Sequence, residues 1–150
     1  MPNSIPSKKP MRTTDDIVVG EALRTPRGSA KEPGALHRVT PMQLLACLLR
    51  ELRSRTDVDT NEVADGVFGC VTQTAEQGGN IGKAACRLAD WSPSVSAVTI
   101  NRYCASGLSA VNWAAQQACN MQGLAVAGGV EMMSRVPMFS DQAPFYTDQA

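Results

Sequence analysis

Apolar residues fall along this chain in two rhythms. Four short runs are nearly continuous and carry β-branched residues: IVVGEAL at 17–23, GVFGCVT within 63–72, SVSAVTI at 94–100 and LAVAGGV at 124–130. Runs of that length, bounded by turn residues, predict strands. Between them the spacing becomes helical. Met42, Leu45, Leu48, Leu49 and Leu52 recur every three or four residues and define a core face, with Arg50, Glu51, Arg53 and Arg55 on the wet side. Thr40 opens this helix, because Pro41 suits the first helical position and Thr40 with Gln43 fits a capping box. NIGKAACRLAD and a stretch from about 105 to 121 predict two further helices.

The predicted order is β-α-β-α-β-α-β. Such alternation implies an α/β fold with a largely parallel sheet and helices on its faces. One helix departs from the usual pattern. Between Arg102 and Glu131 there is no Asp, Glu, Lys or Arg. A surface helix carries a charged face, so this one is expected to be buried all round. A sheet of four strands covers one side of it, and the other side needs a second layer from elsewhere.

Composition narrows the functional classes. Residues 1–14 hold three prolines and three basic residues, which predicts a disordered tail before a domain at 15–150. Acidic and basic residues number 14 each, and no basic stripe interleaves with the few aromatics. Neither nucleic acid nor an acidic membrane surface is an expected partner, and no apolar run has membrane-spanning length. The five cysteines, at 47, 70, 86, 104 and 119, form no CxxC pair, so no metal site is expected. Unpaired thiols point to a reducing, cytoplasmic compartment.

Few residues offer chemistry. GGNIGKAA is not a phosphate-binding loop, since Gln77 and Ala84 stand where glycine and a hydroxyl residue are needed. It reads as a helix-starting loop in a region where ligands can bind. His37 reads as an exposed loop histidine. Cys47, Cys70, Cys86 and Cys119 lie inside apolar patterns and read as small buried hydrophobes. Cys104 is different. It falls between a predicted strand and a predicted helix, in NRYCASGLSA. Free N–H groups at a helix start stabilise a thiolate and can hold an oxyanion. Ala105, Ser106 and Gly107 are small enough to admit a carbonyl to the sulfur. On spacing alone, nucleophile and core cysteine both stand as readings.

NRYCASGLSAVNWAAQQA resembles the nucleophile segment of the thiolases. DIVVGEALRTPRG resembles their opening strand and RTP turn, GCVTQTAEQGGNIGKAA their second strand and loop, and AGGVEMMSRVPM their AGGxExMSxxP segment, although serine is usual where Met132 stands. These segments occur in the family's order over nearly the whole chain after the tail. The resemblance implies a thiolase-like fold with its first half incomplete, strand order 3-2-1-4 and a buried central helix. It implies an acyl-CoA:acyl-CoA C-acyltransferase with Cys104 as catalytic nucleophile. That cysteine attacks the keto carbon of a 3-ketoacyl-CoA, becomes acylated, and yields the acyl group to CoA; the reverse is a Claisen condensation. No cofactor is implied, and coenzyme A enters as a substrate of fatty-acid β-oxidation chemistry. The implied partners are a second copy of the chain or a complementary second-half chain. A GHPxG-type histidine and a CxGGG-type second cysteine, which the family also uses, do not occur in these residues, and His37 corresponds to a loop position. A ketoacyl-synthase-like condensing enzyme, a non-catalytic assembly module and a redox-sensing thiol are the competing readings.

Overall fold

The computed structural model describes residues 17–31, 34–121 and 123–142; the expected tail at 1–14 lies outside them. Helix α1, Pro41–Thr56, begins as its sequence requires. The Thr40 hydroxyl accepts the Gln43 N–H at 3.2 Å, and the Gln43 side chain accepts the Thr40 N–H at 3.0 Å. Strand β1, Val63–Gly69, is followed by helix α2, Ile81–Leu88, then strand β2, Ser96–Ile100. Helix α3, Ser106–Met121, leads to strand β3, Leu124–Gly129. All six lie within two or three residues of the expected runs.

The sheet is parallel, with β1 in the centre, β2 on one side and β3 on the other. Alternation along β1 divides the core. Phe68 packs with Leu45 and Leu49 of α1, with Ala85 and Cys86 of α2, and with Val126. Val67 points the opposite way, onto Ala110 and Ala114 of α3. Helices α1 and α2 therefore cover one face and α3 the other. The indole N–H of Trp91 donates to the Leu49 carbonyl at 3.2 Å and fastens the end of α2 to α1.

Two expectations about this architecture are corrected. The order 3-2-1-4 placed residues 17–23 between the second and fourth strands. Instead β1 pairs directly with β3 from Val63↔Leu124 to Gly69↔Gly129. The approach is close: a Cβ added at Gly129 would lie 2.6 Å from the Gly69 carbonyl oxygen. No slot remains, and IVVGEAL forms no strand, Val18 being 85% exposed. Apolar character says that a run seeks cover, but does not fix its neighbour. The central helix is the second correction. Ser106, Ala110, Ala114 and Cys119 form its buried stripe, while Leu108, Val111, Trp113 and Met121 are exposed. Within the described residues α3 is covered on one side.

Candidate active site

Parallel strands of an open sheet present their carboxyl ends, where α/β proteins commonly bind ligands. Cys104 lies at that end, in the turn from β2 to α3, and is exposed. The turn is tight because its backbone bonds close on themselves. Ala105 N–H donates to the Arg102 carbonyl at 3.1 Å, and Ser106 N–H to the Tyr103 carbonyl at 3.0 Å. Tyr103 takes a left-handed conformation, φ +48°, which a non-glycine residue holds only where its surroundings enforce it.

The small residues after Cys104 divide their duties. Ala105 and Gly107 are exposed, and open space lies where a Cβ at Gly107 would stand. Ser106 does not serve substrate access as its size suggested. It is buried, its hydroxyl accepting the Arg102 N–H at 2.8 Å and donating to the Tyr103 carbonyl at 2.6 Å. Below it, a Cβ at Gly69 would come within 2.7 Å of the Ser106 carbonyl carbon. Glycine at 69 lets the end of β1 approach the head of α3. Neither role was visible from Cys104 outward; Gly69 is marked only as a glycine within a strand pattern.

A second network was also missed. Gln77 is fully buried, donates to the Thr72 carbonyl and the Glu131 carboxylate at 2.9 Å each, and accepts the Met132 N–H at 2.6 Å. Glu131 also accepts the Val71 N–H at 2.7 Å. Isolated Gln and Glu residues carry little sequence signal, yet these two join the loop after β1 to the loop after β3.

The other candidates resolve as follows. His37 is half-buried, contrary to the exposed-loop reading. It lies within the turn before α1, its backbone N–H donating to the Gly34 carbonyl at 2.9 Å and its carbonyl accepting from Arg135 at 2.8 Å. Arg135 also pairs with Glu76. Cys70, Cys86 and Cys119 are buried as expected. Cys47 is exposed; it lies two positions from both Leu45 and Leu49, on the far side of α1 from the core stripe. Lys83 donates to the carbonyls of Pro93 and Val95, so it is already committed, as befits a loop unlike a phosphate cradle. Gly78 and Gly79 line neither of the two clefts described here. One cleft, of about 710 Å³, brings the RTP segment at 24–30 against Gly129–Ser134 and the α1 leucines. The other, of about 530 Å³, lies between Asn101, Arg102 and the open face of α3 at Asn112, Trp113 and Gln116. Cys104 lines neither. Among the described residues, no helix is long and apolar enough to cross a membrane.

The fold is of the thiolase-like class: a crystal structure of the Bacillus anthracis acetyl-CoA acetyltransferase superposes with a TM-score of 0.64 at 36% identity, over 69% of this chain and 26% of that one. Residues 17–148 match the family model for the thiolase N-terminal domain, and the chain belongs to the thiolase family. A 3-ketoacyl-CoA thiolase of Psychrobacter sp. is 42% identical over 124 residues, 82% of this chain and 32% of the relative. One of Acinetobacter baylyi is 41% identical over the same shares. The chain thus spans about a third of the length of the curated relatives it matches.

The five thiols are expected to separate by reactivity. Burial, and after it the Glu131 charge, pushes the Cys70 thiol up to about 12; burial pushes Cys86 up to about 11. Near pH 8 that leaves Cys70 roughly a thousandfold less thiolate than an unperturbed thiol. Iodoacetamide followed by peptide mapping is expected to label Cys104 first and Cys47 next, with Cys70, Cys86 and Cys119 protected. Labelling of Cys70 or Cys119 ahead of Cys104 in the folded chain contradicts this order.

Proposed function

We propose that this chain is the nucleophile-bearing part of an acyl-CoA:acyl-CoA C-acyltransferase, acting on 3-ketoacyl-CoA by thiolysis or running the reverse Claisen condensation. The observation that carries the reading is the exposed Cys104 on a hydrogen-bonded turn at the carboxyl end of the parallel sheet. The sulfur attacks the C3 carbonyl, and a C–S bond forms. The C2–C3 bond then breaks, its electron pair passing to C2, which takes a proton and leaves as acetyl-CoA. The acyl group remains on Cys104 as a thioester until the thiol of a second CoA accepts it. The names of the relatives, 3-ketoacyl-CoA thiolase and acetyl-CoA acetyltransferase, support this substrate class. The setting is cytoplasmic fatty-acid β-oxidation, with either a second copy or a complementary second-half chain as partner.

The test is acid trapping of the intermediate. The chain is reconstituted with a second-half chain, incubated with acetyl-CoA, quenched and mapped by mass spectrometry. An acetyl group is expected on the Cys104 peptide and absent from a Cys104→Ser preparation. An active preparation acylated at another residue overturns the assignment.

A further inference from the structure

The conformation that presents Cys104 is held from outside the turn. Tyr103 sits at φ +48°, and two side chains fix it there. Ser106 does so from the helix side, through the bonds already described. Asn101 does so from the strand side: its Oδ1 accepts the Tyr103 N–H at 2.8 Å, and its Nδ2 donates to the Val71 carbonyl at 3.0 Å. Val71 is itself anchored, its N–H donating to the Glu131 carboxylate. A continuous line of hydrogen bonds therefore runs from Glu131 through Val71 and Asn101 to Tyr103, the residue before the cysteine. An amide suits position 101 because one end must accept and the other donate; aspartate would set an acceptor against the Val71 carbonyl.

We propose that Asn101 is a positioning residue for Cys104, holding Tyr103 in the left-handed conformation that places the sulfur at the head of α3, and that Glu131 acts through it by fixing Val71. This rests on Cys104 being the nucleophile. When the clamp is lost, Tyr103 relaxes toward the right-handed region and the cysteine leaves its place at the head of α3.

The experiment follows alkylation of Cys104 by iodoacetamide, with Cys47 of the same chain as internal reference. Asn101→Ala is expected to lower the Cys104-to-Cys47 rate ratio by roughly tenfold, in line with the strain of a left-handed non-glycine residue. Adding Tyr103→Gly is expected to restore the ratio, because glycine adopts positive φ without that strain. A general folding defect behaves differently: glycine does not repair it, and Cys70 and Cys86 become labelled. An unchanged ratio in Asn101→Ala, or no recovery in the double variant, overturns the proposal. If Asn101→Ala does not fold, the double variant decides, and it must fold with the wild-type ratio. A wild-type Cys104 no faster than Cys47 counts against the nucleophile reading alone. A further fall in Asn101→Ala would still support the clamp.

Discussion

On its own the 150-residue chain is expected to consume no acetoacetyl-CoA in the presence of CoA, and to gain turnover when mixed with a chain carrying the GHPxG- and CxGGG-type motifs. The argument starts from the proton. A cysteine that adds to a ketone needs a base to hold its proton and an acid to protonate the departing carbanion. One histidine occurs in the sequence. It is His37, whose backbone is bonded to Gly34 and Arg135 in the turn before α1. Of the other cysteines, Cys70, Cys86 and Cys119 are buried, with Cys70 and Cys86 pushed well above neutral pH, and the exposed Cys47 sits on α1, away from the turn that carries Cys104. General acid–base help contributes about 10²–10⁴-fold at each step it serves, and groups that act as a unit are lost together. Turnover in the mixture should vanish with Cys104→Ser. Turnover by the chain alone that also depends on Cys104 would show that a base lies within these residues. An inactive mixture, with the two chains demonstrably associated, would favour the non-catalytic assembly role.

What the sequence disclosed, and what it withheld, follows from how local each feature is. The capping box at Thr40, the core stripe of α1 and the junction at Cys104 are set by residues within one or two turns of each other. Strand order is not local. IVVGEAL has the composition of a buried strand, yet the close glycine approach of β1 to β3 excludes it from the middle of the sheet. Cys47 shows the same limit at smaller scale. An apolar surrounding sequence suggested burial, but its angle on α1 turns it outward. At the site, the cysteine was legible because strand, turn and helix meet there in sequence. Its supports were not, because Gly69, Val71 and Glu131 lie some 30 residues away on either side and meet it only through the fold.

In isolation the chain is expected to self-associate at micromolar concentration. The stretch from Tyr103 to Val130 carries no charge, and α3 buries only one stripe of it on the sheet. Leu108 is 67% exposed and Met121 53%, with Val111 and Trp113 also open to solvent. These side chains leave large apolar groups open on an uncharged helix face, and large apolar patches are rarely left uncovered in monomers. Two such faces meet without like charges to oppose them. The sheet offers a second route, because β2 and β3 are both edges of the three-stranded sheet and neither contains a charged residue. The two routes respond to different changes. Val111→Lys with Trp113→Lys places charge on the helix face alone; Leu124→Lys, at a half-exposed position, places it on the β3 edge. Size-exclusion chromatography with light scattering is expected to show dimers or larger species for the parent chain, and a shift toward monomer for the helix pair in particular. The helix should dominate because side-chain burial there removes more apolar area from water than a short strand edge can, at about 25 cal/mol per Å². A parent chain that remains a monomer with cooperative unfolding would mean that α3 tolerates water on its open face, and the need for a second covering layer would fall with it.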